Sequence, residues 1–368
     1  MKKYFKKAFL NQQIASDICI EIENGNIVSI SNEVPELLTE QKDGILIPGA
    51  TDIHCHGGGG YYFSNPDISN IRKALTAHQN TGTSRLIASL VTEPISDLKN
   101  QILRLKSLVH SGEILGIHLE GPYLAESRCG AHDPTLLRDP LISELKELID
   151  ISENTIKMVT IAPERNGAIE AIKYLTDNSI VAAIGHSDAT QSQTKDAINA
   201  GAKVFTHFYN GAPKFENWSD LTPASIASEG LKDERVFIEF INDGVHLNDE
   251  IINNINRIAT NRLLVITDAM AAAAGEDGEY LIGKLPVQVK EGIATLKSNG
   301  SLAGSTLTTA KSILRLLNIY KFDLNTVLNY SNYYPSSVLG IEPLELKVGA
   351  QLKDFRILTS NYQEIINI

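Results

Sequence analysis

The chain has 368 residues, 43% of them hydrophobic and 21% charged, with a formal net charge of −11. That length allows two or three average domains, or one large α/β barrel with an appendage. The acidic balance excludes the basic face of a nucleic-acid binder but leaves room for an anionic ligand, because a local field can oppose the global one.

Three scattered cysteines, Cys19, Cys55 and Cys129, make no disulfide framework and point to a reducing cytoplasm. Lys2, Lys3, Lys6 and Lys7 look like the start of a signal peptide. The apolar stretch after them stops at Ala8-Phe9-Leu10 and gives way to Asn11-Gln12-Gln13, so they are read as a solvated edge rather than a leader. No apolar run approaches a membrane span, and no membrane partner is expected.

Residues 17–31 read as a hairpin: alternating Asp17–Ile22, a turn at Asn24-Gly25-Asn26, and a return along Ile27–Ile30. Then short apolar runs recur, separated by helix-like segments such as Ile71–Leu75 and Ala168–Lys173. The runs are Ile45–His56, Ser84–Val91, Leu115–Glu120, Met158–Ala162, Ile180–His186, Val204–His207, Val236–Ile241 and Leu263–Asp268. Near-continuous apolar runs belong to strands covered on both faces, as in parallel sheets. This rhythm predicts a (β/α)8 TIM-like barrel over residues 49–344. A doubly wound open sheet fits less well, for no glycine-rich phosphate fingerprint follows the first run. Leu285–Val289 and Ile293–Leu296 read as a hairpin inserted after the eighth run, with helices over 306–319 and 323–330. The strand-like tail around Phe355–Leu358 is expected to join the N-terminal hairpin. Residues 1–48 and 345–368 would then make a small β-sandwich domain.

Histidines and carboxylates stand where the runs end. Asp52, His54 and His56 follow the first, His118 and Glu120 the third, and His186 the fifth. His207 follows the sixth, Asp243 and His246 the seventh, and Asp268 the eighth. In a barrel, active-site residues come from the C-terminal ends of several strands. One such histidine is commonly a satisfied structural residue. Burying the whole set without a ligand or metal is costly. In an extended strand His54 and His56 share a face while Cys55 points away, which suits a metal. A carboxylate with two histidines can hold a divalent cation, which polarises an acyl oxygen and acidifies a water. An aspartate beside it can move the proton to a leaving amine. The chain has no Gly-x-Ser-x-Gly elbow, so metal-assisted hydrolysis is preferred over a serine mechanism.

The motifs Ile53-His54-Cys55-His56-Gly57, His118-Leu119-Glu120-Gly121-Pro122, Gly130-Ala131-His132, Gly185-His186-Ser187, Thr206–Asn210, Asp243-Gly244-Val245-His246, Thr267-Asp268-Ala269 and Leu302–Ser305 occur in order. From about residue 17 to the C-terminus the chain closely resembles the N-acetylglucosamine-6-phosphate deacetylase family of the amidohydrolase superfamily. The resemblance implies hydrolysis of the N-acetyl group of N-acetylglucosamine 6-phosphate to glucosamine 6-phosphate and acetate. It implies Glu120, His186 and His207 as principal metal ligands and Asp268 as catalytic acid/base. His132, with Ala131, would contact the sugar and the acetyl oxygen. Asn210 and Gly211 would bind substrate, and Asp243 with His246 would serve the phosphate end. Leu302, Ala303 and Gly304 would close over the ligand. His54 and His56 would allow a second metal, so that each subunit holds one or two divalent ions: zinc first, otherwise iron, manganese, cobalt or nickel. Members are commonly homodimers in which an arginine reaches the neighbour's phosphate.

That arginine is missing. Ala212–Asp220 carries Lys214 and Trp218 instead. Lysine offers a point charge rather than a bidentate fork, and Trp218 suits either a sugar face or a subunit interface. A deacetylase for another or unphosphorylated N-acetylamino sugar therefore stands as the alternative. Behind it come another N-acyl amidohydrolase and a sugar-binding protein without activity.

Overall fold

Both chain ends are built into one mixed sheet. In the computed structural model, which describes residues 1–32 and 41–368, four strands open the chain: β1 (Lys2–Leu10), β2 (Gln13–Glu23), β3 (Asn26–Ser31) and β4 (Gln41–Pro48). Residues 33–40 of the segment expected to form the small domain lie outside the described residues. The last two strands, Phe355–Leu358 and Ile365–Asn367, extend the sheet to six by pairing along β4. One face buries Phe5, Ile18, Ile20, Leu46 and Ile357. The opposite face contributes Phe9, Ile45 and Ile47 to the main core.

β1 was read as a lysine-rich edge, and that reading fails. Lys2, Lys6 and Lys7 are exposed, yet the strand lies inside the sheet, antiparallel to β2 and parallel to β4. A register shift between Phe5 and Lys7 breaks the two-residue alternation, so apolar residues fall in pairs. The pairing disguised the strand.

The first apolar run is divided between two sheets. Ile45–Pro48 belongs to β4, and the barrel begins only at β5 (Ala50–Asp52). Gly49 makes the transfer. A Cβ there would lie 1.9 Å from Ser84 Oγ and 2.8 Å from Ser84 Cβ, closer than rotation of the serine could relieve. The next residues leave the strand in a loop that carries His54 and His56, followed by a short hairpin of β6 (Gly57–Gly58) and β7 (Tyr61–Tyr62).

The remaining barrel strands are β8 (Thr83–Leu90), β9 (Gly116–Glu120), β10 (Ile156–Ile161), β11 (Val181–Ile184), β12 (Val204–Phe205), β13 (Phe237–Phe240) and β14 (Leu263–Val265). With β5 they form an eight-stranded parallel sheet in chain order, as the rhythm of runs predicts. Ile53, Ile87, Met158, Ala183, Val204 and Leu264 pack together in its interior. The seam between first and eighth strands closes beyond the strands themselves. Asp268 N donates to His54 O at 2.9 Å, and His56 N to Ala269 O at 2.8 Å. Asp52 locks this seam: its carboxylate accepts from Thr267 Oγ at 2.6 Å, from Thr267 N at 3.3 Å and from His54 N at 3.2 Å.

After the barrel, β15 (Gly278–Ile282), β16 (Leu285–Lys290) and β17 (Ile293–Leu296) form a three-stranded antiparallel sheet, one strand more than the expected hairpin. Gly278–Ile282 turns Glu279 and Leu281 outward and Tyr280 and Ile282 inward, so its short alternation left little apolar signal. The expected helices appear at Thr309–Asn318 and Leu324–Leu328. Among the described residues no helix is long and apolar enough to cross a membrane.

Gly49→Ala is expected to destabilise the protein by about 1–3 kcal/mol, the usual cost of overpacking a tight contact. A lowered urea midpoint would show it. An unchanged midpoint would mean that the two sheets separate freely at this point.

Candidate active site

Glu120 ends β9, and its carboxylate faces five imidazoles. Oε1 lies 2.9 Å from His207 Nε2, 3.1 Å from His186 Nε2 and 3.5 Å from His54 Nε2. Oε2 lies 3.2 Å from His56 Nε2 and 3.4 Å from His132 Nε2. Asp268 completes the ring, with Oδ1 3.3 Å from His56 Nε2 and 3.6 Å from His54 Nε2. These side chains come from the ends of the first, third, fifth, sixth and eighth strands and from the loop after β9. All are buried.

The outer nitrogens show what the inner ones can do. His186 Nδ1 donates to Arg128 O at 2.8 Å, His207 Nδ1 to Asn210 O at 3.1 Å, and His54 Nδ1 to Glu239 Oε2 at 3.0 Å. A ring whose Nδ1 carries the proton presents a lone pair at Nε2. Three such lone pairs therefore converge on Glu120. Nε2 of His186 and of His207 stand 3.0 Å apart, and those of His54 and His56 3.2 Å apart. The His186 and His207 nitrogens are both acceptors, which have no reason to approach so closely unless a cation lies between them. Ligands about 2.0–2.1 Å from a tetrahedral ion are separated by close to this distance. Glu120, His186 and His207 stand close enough together to hold a divalent metal; the groups His54, His56, Glu120 and Glu120, His132, His186 each could do so as well.

The charges agree. Without a metal the site draws protons onto those inner nitrogens instead: burial opposes ionisation of Glu120, but charge on His54 and hydrogen bonds from His132, His186 and His207 outweigh it and hold the carboxyl well below its usual range. Asp268 is likewise opposed by burial yet drawn down to about 2 by His56 and His54. Burial pushes His54 down, but Glu120 and Glu239 outweigh it and raise the ring well above its ordinary value. A field that attracts a proton this strongly also attracts a metal cation.

His132 behaves differently. Its Nδ1 accepts from the Thr92 backbone N–H at 3.3 Å, which leaves the ring proton on Nε2. Burial, only partly offset by Glu120, takes it down to about 4, so it is a neutral donor. His118 lies a layer deeper, between Ser89 Oγ and Thr160 Oγ, with burial and then the charge on His54 holding it well below its ordinary value. It packs on His54 at 4.7 Å between ring centroids and serves as a neutral support.

A cavity of about 320 Å³ opens above the cluster. Of the residues to which the resemblance gives a role, His56, Glu120, Ala131, His132, His186, His207, Asn210, Gly211, His246, Asp268, Leu302 and Gly304 line it. Three do not. His54 lies beneath the floor, fully buried. Asp243 stands behind His246 and accepts from its Nδ1 at 2.7 Å. Ala303 is fully buried, its N–H donating to Ala294 O.

The backbone is shaped to serve the cluster. Gly211, at φ +64°, leaves no space for a side chain: a Cβ would sit 2.8 Å from His186 Nδ1. His186, His207 and Asp268 themselves have φ of 48°, 22° and 48°, conformations that cost energy away from a site that holds them. The Leu302–Ser305 loop is joined to Asp268, with Ser305 N donating to Asp268 O at 2.8 Å.

Of the two roles open to Trp218, the sugar face finds no support in this chain: the ring is not part of the cavity wall and meets Phe215 edge-on at 4.5 Å and Tyr209 at 5.7 Å. Lys214 lies over the Tyr209 ring, also off the wall. The wall contains no lysine or arginine among the described residues. Ile282 and Ser301 line the cavity unforeseen, both carried by the region around the three-stranded insertion. Glu239 and Thr92, which hold the rings, were also missed. Glu239 had a signal, a lone carboxylate inside the apolar run Val236–Ile241; Thr92 had none.

Known proteins resemble the whole chain. An N-acetylglucosamine-6-phosphate deacetylase of Vibrio furnissii is 33% identical over 301 residues, covering 81% of this chain and 74% of the relative. An N-acetylgalactosamine-6-phosphate deacetylase of Escherichia coli O157:H7 is 32% identical over 328 residues, covering 88% and 85%. The structure of an Asp-to-Ala mutant of the Mycobacterium smegmatis N-acetyl-D-glucosamine-6-phosphate deacetylase, in complex with N-acetyl-D-glucosamine 6-phosphate, superposes with a TM-score of 0.92. It is 34% identical, with 99% of this chain and 96% of that one covered. No family model matches the chain.

Removing the shared carboxylate should cost the cluster its cation. Glu120→Ala is expected to bind divalent metal at least about 10–100-fold more weakly, the range seen when only a supporting group is removed. His118→Asn should keep the wild-type metal content and lose only stability. Elemental analysis of both purified variants tests this assignment, which equal metal content in Glu120→Ala would refute.

Proposed function

The chain belongs to the N-acetylglucosamine-6-phosphate deacetylase family of the amidohydrolase superfamily, and on that footing we propose that it removes the acetyl group from N-acetylglucosamine 6-phosphate. The enzyme is an amidohydrolase; the choice of hexosamine and the roles of single residues are our reading. The observation that carries it is the placing of Asp268 and His132 beside the lone pairs that converge on Glu120.

Glu120, His186 and His207 would hold one divalent ion, zinc by preference, and His54 with His56 would border a second. Such an ion, when bound, polarises the acetyl oxygen and makes a water acidic enough to attack at neutral pH. The residues do the rest. His132, neutral and with its proton on Nε2, donates to the acetyl oxygen as negative charge builds there. Asp268, ionised and 3.3 Å from His56 Nε2, takes a proton from the attacking water. It returns that proton to the nitrogen as the amide C–N bond breaks. Acetate and the free amine leave.

Asn210 and the Leu302–Gly304 loop hold the sugar ring. His246 lines the cavity with Nδ1 held by Asp243, which leaves its Nε2 free to meet a 6-phosphate. With no lysine or arginine in the wall, the reading includes a homodimer whose second copy borders that end, and a cytoplasmic location. N-acetylgalactosamine 6-phosphate is the second reading. The relative of about equal identity that is named for it favours keeping it.

Acetate release by the metal-loaded protein, compared across the two phosphorylated epimers and their unphosphorylated sugars, tests the proposal. N-acetylglucosamine 6-phosphate is expected to give the highest kcat/KM, and a preference for unphosphorylated sugar would overturn it. Asp268→Asn should retain metal while kcat falls by about 10²–10⁴-fold, the usual worth of a general acid/base. His246→Ala should raise KM for the phosphorylated sugar more than it lowers kcat.

A further inference from the structure

Glu239 takes no part in the chemistry proposed above, yet it is fully buried at the centre of the barrel. It lies in β13, and its Oε2 holds two groups at once: His54 Nδ1 at 3.0 Å and the His207 backbone N–H at 3.1 Å. Its own backbone carbonyl accepts from Phe208 N at 2.8 Å. Its Oε1 is buried without a partner among the described residues.

A carboxylate kept for structure alone would use both oxygens, because an unpartnered buried one is costly. An amide would hold the same two donors through one oxygen without burying a charge. What the charge adds is an effect on the imidazole it faces. A carboxylate behind Nδ1–H fixes the tautomer and makes the opposite nitrogen more basic, and so a better metal ligand. That opposite nitrogen is His54 Nε2, 3.2 Å from His56 Nε2. The same oxygen also steadies His207 at its left-handed φ of 22°. One carboxylate thus touches the supports of both metal positions.

We propose that Glu239 is a positioning residue that makes His54 a metal ligand and so sets the affinity of the second metal position. This inference rests on the metal-dependent reading above. Its test is zinc binding measured against a competing chelator, with zinc content checked by elemental analysis. Glu239→Gln preserves shape and can still accept from both donors, but it withdraws the negative charge. It should weaken the second equivalent of zinc by about 10–100-fold while changing the first much less. In a His54→Ala background it should cause no further loss, because its effect passes through that ring.

A zinc isotherm for Glu239→Gln equal to wild type, or a loss that adds in full to that of His54→Ala, overturns the proposal. A wild-type protein that binds one zinc, unaffected by His54→Ala, also overturns it but leaves the metal-dependent reading standing. A wild-type protein that binds none overturns both. If Glu239→Gln does not fold, Glu239→Asp gives the same comparison: the charge is kept, one methylene of reach is lost, and the second equivalent should again be the one that weakens.

Discussion

Everything at the floor of this barrel answers to one buried carboxylate. Glu120 faces five imidazoles within 3.5 Å. A neutral ring whose outer nitrogen donates cannot also donate inward. The surrounding structure ties up the outer nitrogens. The carbonyls of Arg128 and Asn210 and the carboxylate of Glu239 each take an Nδ1 proton. For those three rings what remains at the centre is acceptor meeting acceptor, a conflict that a cation relieves. Loops after β9 and β12 bring Arg128 and Asn210 into place, while Glu239 stands in β13. The positive φ at His186, His207 and Asp268 records how far the backbone is bent at the site.

The barrel seam serves the same end. A (β/α)8 sheet must pair its first strand with its last, and here the closing hydrogen bonds lie at His54, His56, Asp268 and Ala269 rather than in β5 and β14. Asp52 and Thr267 set the register just below. Closure of the fold and alignment of Asp268 with the two histidines are therefore one event. Slippage of a single residue at the seam would point Asp268 out of the cavity. This explains why two short strands suffice: the site residues themselves complete the pairing.

The parts legible in the sequence were those that combine a period with a chemical type. Runs buried on both faces gave the eight barrel strands, and ionisable residues at their ends gave His56, Glu120, His186, His207 and Asp268. The resemblance of ordered motifs added His132, Asn210 and Leu302, which no periodicity marks. What stayed hidden was hidden for physical reasons. A register shift in β1 turned alternation into pairs. Gly49 let one apolar run serve two sheets. Thr92 and Ile282 act through long-range proximity, and a threonine in a loop or an isoleucine at a strand end carries no sign of it. Trp218 was left open between a sugar face and a subunit interface, and in this chain it packs on Phe215 and Tyr209, off the cavity wall.

The distribution of charge also separates binding from chemistry. The charged groups stand at the floor, where the amide would be cleaved, while the walls are made of glycine, alanine, leucine, isoleucine and uncharged polar side chains, with His246 at one side. An anion gains little charge attraction from such walls. A divalent ion held at Glu120 would offset the carboxylates of Glu120 and Asp268, so the floor would not by itself turn an anion away. On the reading proposed above, a ligand is therefore oriented by the few directed groups at each end, His132 and Asp268 at the floor and His246 in the wall, rather than by a net field.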